Sequence, residues 1–192
     1  MENRNETLFK TIPIFNADLT DEEIKSLSVK HKDGKGLIKF LYGIAESEEV
    51  SNVMRTYIVR DNYTDEFVGY FSLKAGMISI NEQIIDDKKY FDTLPGIEIA
   101  NFAINSTYID KHKDLKGCGR VIFDLFITPI IEDVSKKIGV KLIYIFSLPI
   151  DSLMKRYQEY GFKRLTSKQE EELHKRLKPI YDEGCIFMYQ EL

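Results

Sequence analysis

The chain has 192 residues, 43% hydrophobic and 12% aromatic, which is enough apolar material for one packed domain of ordinary size. Its 27 Lys and Arg residues against 31 Asp and Glu residues give a formal net charge of −4, which argues against a protein that coats nucleic acid in general but not against a local basic site. Two distant cysteines and three scattered histidines have no metal-ligand spacing and predict no metal site. The polar N-terminus does not resemble a signal peptide and no apolar run is long enough to span a bilayer, so we expect a cytoplasmic protein without membrane contact.

The first half of the chain predicts a strand, two helices and a hairpin. The elements are expected as a strand at 10–15, a helix beginning at the Thr20–Glu23 capping box, a helix at 37–45 after the Gly34–Gly36 break, and paired strands at 55–60 and 67–73. Residues 75–96 mix apolar and charged positions without a clear period. We interpret them as an excursion away from the sheet with some local structure.

The rest of the chain is organised around the stretch from Glu98 to Phe126. An apolar segment at 97–104 predicts a central strand, and a polar loop leads from it to Gly117–Gly119 and an amphipathic helix. Glycines let the backbone approach an anion, and the first N–H groups of a helix point toward it. Basic side chains crowd the same loop: Lys111, Lys113, Lys116 and Arg120. The pattern predicts a phosphate site, with an ordinary strand-to-helix turn as the alternative.

Further strands and helices are expected downstream of the glycines. They are a helix that is kinked near Leu125 by Pro129 and ends at Gly139, a strand at 141–148, a helix capped by Asp151 or Ser152 that runs to Tyr160, a strand at 162–165, a helix from a Ser167–Glu170 cap to Pro179, and a strand at 185–190. There is no repeat, low-complexity segment or linker. The sequence therefore predicts a single domain spanning residues 1–192.

Two short motifs are specific enough to indicate a protein family. Residues 114–119 read Asp-Leu-Lys-Gly-Cys-Gly and residues 157–162 read Tyr-Gln-Glu-Tyr-Gly-Phe, with a helix and a buried strand between them. The first resembles the R/Q-x-x-G-x-G/A pyrophosphate loop, and the second the Y-x-x-x-G-F helix end, of the GNAT superfamily of acyl-CoA-dependent N-acyltransferases. The resemblance implies an α/β (α+β) fold with a mixed, mostly antiparallel sheet flanked by helices. It also implies acetyl-CoA as acyl donor and no metal.

The resemblance carries over to particular residues. It implies that the backbone of Phe102, Ala103 and Ile104 pairs with the pantetheine arm. It implies that the pyrophosphate is held by backbone N–H groups of the following residues: Leu115, Lys116, Gly117, Cys118, Gly119 and Arg120. Tyr157 takes the position of the tyrosine that protonates the leaving thiolate. Glu98, five residues before Ala103, resembles the general base of the histone-acetylating branch.

The chain also departs from the family pattern. Asp114 replaces the usual Arg or Gln, which puts in doubt a side-chain contribution there but not the backbone contacts. The loop before Gly117 is several residues longer than usual, and Ile150 stands where an asparagine is common. Each catalytic assignment has a structural alternative: Tyr157 as a packed helix tyrosine, Glu98 as a carboxylate in a salt bridge. Cys118 fills the variable loop position and is interpreted as incidental to the chemistry.

Three functions remain open. The first is an acetyltransferase acting on a primary amine of a small molecule, protein or peptide. The second is a toxin of the same superfamily that acetylates aminoacyl-tRNA, disfavoured by the net acidity and by Asn101, where those toxins usually carry an arginine. The third is a module that binds acyl-CoA without catalysis, which an intact Tyr157 and intact glycines disfavour. The acceptor, the assembly (a homodimer is one option) and the roles of residues 75–96 and 166–183 are left open.

Overall fold

The computed structural model describes residues 7–31, 34–176 and 184–192, which form a seven-stranded sheet with helices. The strand order is β1-β2-β3-β4-β5-β7-β6. The strands are β1 Phe9–Pro13, β2 Arg55–Asp61, β3 Phe67–Ile85, β4 Lys88–Ile104, β5 Leu142–Ser147, β6 Lys163–Arg164 and β7 Ile186–Glu191. The β4–β5 pair is parallel, whereas β1–β2, β2–β3, β5–β7 and β6–β7 are antiparallel. The predicted mixed, mostly antiparallel sheet is confirmed.

The helices fall mostly where apolar periodicity and caps predict them. They are α1 Asp21–Ser26, α2 Lys35–Gly43, α3 Ala45–Val50, α4 Ser106–Lys111, α5 Cys118–Ile122, α6 Thr128–Lys137, α7 Asp151–Glu159 and α8 Ser167–Arg176. The Thr20–Glu23 capping box is present at the start of α1. A π-helical segment, Phe123–Ile127, joins α5 to α6 without a break. This change of helical geometry directly precedes Pro129, whose missing N–H cannot complete an α-helical turn.

Contacts divide the chain into two compact units. The first unit comprises the described residues up to Leu73 and residues 101–128, and the second comprises residues 74–100 and the described residues from Pro129 onward. The expectation of a single domain stays a prediction.

The first unit has a core in which helices α1 and α2 cover strands β2 and β3. Its buried members share apolar character and come from every part of the unit: Ile14, Ala17, Leu27, Leu41, Ala45, Ile58, Phe67, Tyr70 and Ala103. The hydroxyl of Tyr70 donates to the carbonyl of Leu37 at 2.6 Å, so this buried polar group is satisfied. Arg60, also buried, donates to Glu23 at 2.6 Å and so ties β2 to the first turn of α1.

The second unit has its own core, built from β3, β5, β7 and α8. Its buried members are Ile78, Leu142, Tyr144, Leu165, Leu173 and Phe187. Tyr144 and Phe187 lie with ring centroids 5.6 Å apart. Tyr144 also occupies the space beside Gly76, where an added Cβ would lie 1.9 Å from the tyrosine hydroxyl. A side chain at this point of β3 would therefore require Tyr144 to move.

The interpretation of residues 75–96 as an excursion off the sheet is wrong. These residues extend β3 and β4 as a long hairpin, and Asp86 and Asp87 turn the chain with φ values of 51° and 57°. Aspartate tolerates positive φ better than most residues, and two such residues form the turn typical of a two-residue hairpin. The sequence shows no strand pattern near the tip because the hairpin is exposed there, with Ile84 66% and Ile85 52% exposed, so one-sided burial imposes no alternation.

Two helix starts also differ from expectation. Helix α7 has Ile150 as its N-cap, without a side-chain hydrogen bond, rather than Asp151 or Ser152. Before α8, Thr166 and Gln169 form the reciprocal cap, in place of the predicted Ser167 and Glu170. Glu170 instead accepts hydrogen bonds from Arg164 and from the Phe187 N–H. The predicted helix end at Pro179 lies outside the described residues. Across the described chain, no helix is long and apolar enough to cross a membrane.

Candidate active site

The end of β4 carries the first group of predicted site residues. The β4–β5 register pairs only Gly96–Glu98 with Leu142–Tyr144, so Phe102–Ile104 lie beyond that ladder. On the other side β4 is held closely by β3, because a Cβ added at Gly69 would lie 2.2 Å from the carbonyl oxygen of Ala103. Ala103 is itself buried in the core of the first unit. Phe102 and Ile104, by contrast, are only partly buried.

The glycine loop opens a long helical stretch, as the sequence predicts. Gly117 is the N-cap of α5 and has φ +97°, a left-handed conformation that side chains rarely adopt. No side chain caps this helix, and a Cβ at Gly117 would meet no atom within 4 Å. Gly117 therefore lies beside open space at the helix start, whereas Cys118 and Gly119, which follow it, are buried. These residues fit a phosphate group, because N–H donors and the helix dipole both favour an anion there.

Only some of the basic side chains around the loop form ion pairs with acidic residues. Lys111 is paired with Glu66 at 3.0 Å, and Arg120 with Asp124 at 2.6 Å. Lys113 and Lys116 are exposed and form no ion pair within the described residues. Lys113 and Lys116 outweigh Asp114 between them, so the segment directly before Gly117 has a small net positive charge, which adds to the attraction for phosphate.

Tyr157 is buried in the second unit, on the inner face of α7, and is only 3% exposed. Its ring packs edge-on against Tyr160 and Phe162, with centroids 6.0 and 5.7 Å away. Burial raises the pKa of Tyr157 well above its ordinary value, and the neighbouring Tyr160 acts in the same direction. The hydroxyl therefore keeps its proton at physiological pH, and the same burial makes it a weaker acid than an ordinary tyrosine.

Glu98 lies on β4 and is 2% exposed. Its carboxylate forms an ion pair with Lys74, Nζ to Oε2 3.1 Å. Lys74 is a residue that the sequence did not single out, because the two side chains come from different strands of a hairpin that was not predicted. The geometry is that of the salt-bridged alternative.

In the described part of the chain, neither the cysteine of the glycine loop nor a metal-binding cluster adds to the candidate site. Cys118 is buried, at 5% exposed, so it does not present its thiol to solvent. Among the described residues, no group of three or more His, Cys, Asp or Glu side chains could hold a metal ion.

Comparison with known proteins gives structural matches only. No family model matches the chain, and no curated protein sequence matches it. Among solved structures, a tyrosine-to-phenylalanine variant of KacT has a TM-score of 0.66 at 14% identity, covering 96% of this chain and 95% of that chain. AtaT complexed with acetyl-methionyl-tRNAfMet has a TM-score of 0.65 at 14% identity, covering 95% and 94%. AtaTR bound with acetyl-CoA has a TM-score of 0.64 at 14% identity, covering 95% and 92%.

These matches span nearly the whole of each chain. The fold is therefore the GNAT-type fold that the two sequence motifs predict. At 14% identity the likeness concerns the fold alone, so activity, acceptor and site residues must be argued from the chain itself.

Proposed function

We propose that this protein transfers the acetyl group of acetyl-CoA to a primary amine. The observation that carries the proposal is the loop at Gly117: a left-handed, uncapped helix start that faces open space and follows an exposed basic segment. That arrangement suits a pyrophosphate better than a structural turn, which would satisfy its own helix N-terminus. The acetyl-CoA bound to AtaTR, a protein of the same fold, supports the choice of ligand.

Two stretches of backbone would bind the donor. Phe102–Ile104, beyond the β4–β5 ladder, offer strand N–H and C=O groups to the amides of pantetheine, as in recognition by an added strand. Within Leu115–Arg120, the N–H groups of Leu115, Lys116 and Arg120 already donate to backbone carbonyls, so the pyrophosphate would be bound chiefly at Gly117–Gly119. No contact in this scheme requires a particular side chain, which explains how Asp114 can replace the usual Arg or Gln.

The reaction would be a direct transfer. The lone pair of the neutral amine attacks the thioester carbonyl carbon, the C–N bond forms, and the C–S bond breaks with its electron pair on sulfur. Tyr157 would donate its proton to that thiolate and recover one from solvent. Glu98, or water, would take the proton that the amine nitrogen loses. Holding both substrates together supplies much of the acceleration, because a bimolecular step becomes effectively unimolecular.

Binding and turnover test the proposal separately. CoA should raise the melting temperature of the protein, whereas adenosine, which lacks the pyrophosphate, should not. Acetyl-CoA with pools of amines, peptides or charged tRNA should release free thiol in at least one pool. Binding without turnover in any pool would instead favour the non-catalytic acyl-CoA module. No binding at all would overturn the proposal.

Aminoacyl-tRNA is a second candidate acceptor, favoured by one observation: a solved structure shows AtaT complexed with acetyl-methionyl-tRNAfMet. The α-amine of an aminoacyl-tRNA is a primary amine, so the acetyl transfer would follow the same chemistry. The formal net charge of −4 means that contacts must come from a local basic surface. Binding of labelled aminoacyl-tRNA should weaken with salt, with a log–log slope of about −0.9 per neutralised phosphate on duplex. Absence of binding at low salt, together with absence of acetylation, would exclude this acceptor.

A further inference from the structure

The long segment before Gly117 is folded and fastened to the β2–β3 turn. In place of a loop, the chain forms α4 and then a 3-10 turn, Lys113–Leu115. The hydroxyl of Tyr108 donates to Asp61 at 2.5 Å, with these residues 2% and 4% exposed. Burial acts to raise the pKa of Asp61, but hydrogen bonds from Tyr108 and from the turn residues outweigh it and lower the pKa. Asp61 is therefore an ionised, buried anchor for α4.

Glu66, at the other end of the same turn, forms the second anchor. One carboxylate oxygen accepts from Lys111 Nζ at 3.0 Å, and the other lies 2.7 Å from His112 Nε2. These two hydrogen bonds lower the pKa of Glu66. The ring of His112 also packs on Tyr108, with centroids 4.4 Å apart. One carboxylate thus holds two consecutive residues at the C-terminal end of α4.

The anchored residues lead directly into the glycine loop. The carbonyl of His112 accepts from the Leu115 N–H at 3.0 Å, and that of Lys113 accepts from the Lys116 N–H at 3.4 Å. This 3-10 turn leaves little freedom between His112 and Gly117. The next residues, Lys116 and Gly117, are exposed and contribute few contacts of their own. Their position is therefore set from two sides: by the anchored segment before them, and by α5 after them, where the Gly117 carbonyl accepts from the Arg120 N–H at 3.0 Å.

We propose that Glu66 is a positioning residue that holds the glycine loop in its phosphate-binding geometry. The inference rests on the proposed function and deepens it. Backbone donors bind a phosphate only when distance and angle are right, so a loop that must be ordered on binding loses affinity. The elements before Gly117 are only a six-residue helix and a 3-10 turn, and such short elements have many conformations to lose unless contacts elsewhere in the fold hold them.

The test compares Glu66→Ala with Glu22→Ala. Glu22 is an exposed carboxylate on α1 of the same unit and makes no hydrogen bond or ion pair within the described residues. Calorimetric titration with CoA should show a dissociation constant about tenfold higher for Glu66→Ala, equivalent to about 1.4 kcal/mol, and an unchanged constant for Glu22→Ala. With S-acetylpantetheine, which lacks the pyrophosphate, kcat/KM should be the same in all three proteins. At saturating acetyl-CoA, kcat should also be unchanged.

Other outcomes would overturn the inference. Equal CoA affinity in the parent and Glu66→Ala would show that the anchor does not act on the loop. An equal loss with acetyl-CoA and S-acetylpantetheine would indicate general damage to the fold. If the parent itself does not bind CoA, the proposed function fails first.

If Glu66→Ala does not fold, a second pair of variants tests the same proposal. His112→Leu removes the hydrogen bond to Glu66, whereas His112→Gln can restore it with a side-chain amide. We expect weaker CoA binding in the leucine variant and near-parental binding in the glutamine variant. Equal affinities in these two proteins would contradict a positioning role.

Discussion

The glycine loop of the first unit and α7 of the second have different roles in the proposed function. The loop would bind the acyl donor through its backbone, whereas α7 would donate a proton through one side chain. The loop begins at an exposed, left-handed Gly117 and would offer backbone groups to a ligand. Tyr157 is 3% exposed, fixed by two aromatic neighbours, and offers a single hydroxyl. Binding by backbone tolerates changes of side chain except where a side chain would obstruct the approach. Proton donation by Tyr157, in contrast, would depend on a single hydroxyl group.

The largest expected effect is that of Tyr157→Phe, which removes the hydroxyl and keeps the ring and its packing. General acid catalysis is worth about 10²–10⁴-fold, so kcat should fall on that scale. The KM for acetyl-CoA should move little, since an interaction made mainly in the transition state does not stabilise the bound substrate. Initial rates of thiol release measure both parameters.

Tyr160→Phe is the matched control, because it removes a hydroxyl from the buried tyrosine that packs against Tyr157. We expect it to retain near-parental kcat. Full activity in Tyr157→Phe would mean that solvent protonates the thiolate. A loss confined to acetyl-CoA affinity would make Tyr157 a binding residue and remove the contrast with the loop.

Gly119→Leu should abolish CoA binding, because a branched side chain would enter the space that the pyrophosphate must approach. At a CoA concentration 100 times its dissociation constant, the parent gains about 2.7 kcal/mol of stability, and the variant should gain none. Thermal melts with and without CoA give this difference. Gly139→Leu is the control for the leucine substitution, since a Cβ at Gly139 meets no atom within 4 Å and lies far along the chain from the loop. A CoA-dependent shift in Gly119→Leu equal to that of the parent would mean that the site is misplaced.

A double-mutant cycle distinguishes the two roles of Glu98. If the carboxylate serves mainly as the partner of Lys74, then Glu98→Gln and Lys74→Met should each destabilise the protein, and the double variant should show a coupling of about 0.5–3 kcal/mol. Chemical denaturation of the four proteins measures it. If Glu98 is the general base, Glu98→Gln should in addition lower kcat, mainly at lower pH, with acetyl-CoA affinity retained. An unchanged pH–rate profile would leave only the structural role.

The smallest expected effect concerns Asp124, whose exposed carboxylate pairs with Arg120 at the start of the helix. Exposed i,i+4 pairs contribute only about 0.3–0.5 kcal/mol, so Asp124→Asn should barely change the melting temperature. Removing a negative charge near the proposed phosphate site should nevertheless strengthen CoA binding by about twofold at low salt, an advantage that screening removes at high salt. Titration at two ionic strengths measures it. Weaker binding would indicate that Asp124 orders the loop rather than opposing its ligand.

Sequence by itself determined the elements whose patterns are local. The Thr20–Glu23 box, the glycines at the start of α5, and the apolar runs of β4 and β5 depend on residues within one turn or one strand. These local features, with the two family motifs, were enough to predict the GNAT-type fold that the structural matches confirm. The candidate loop and Tyr157 came from the same motifs, and their catalytic and binding roles remain predictions.

Two kinds of feature were decided by tertiary structure alone. The first is contacts between residues that are distant in the chain, and the second is strands whose residues are exposed to solvent. Residues 75–96 form strands because two backbones pair, although exposure near the tip leaves no alternation to read. The partnership of Glu98 with Lys74 follows from that pairing. Glu66 meets His112 across 46 residues of sequence, and no local pattern of charge could predict such a contact. Local preferences are encoded by neighbours along the chain, whereas ion pairs across it exist only once packing has fixed which side chains meet.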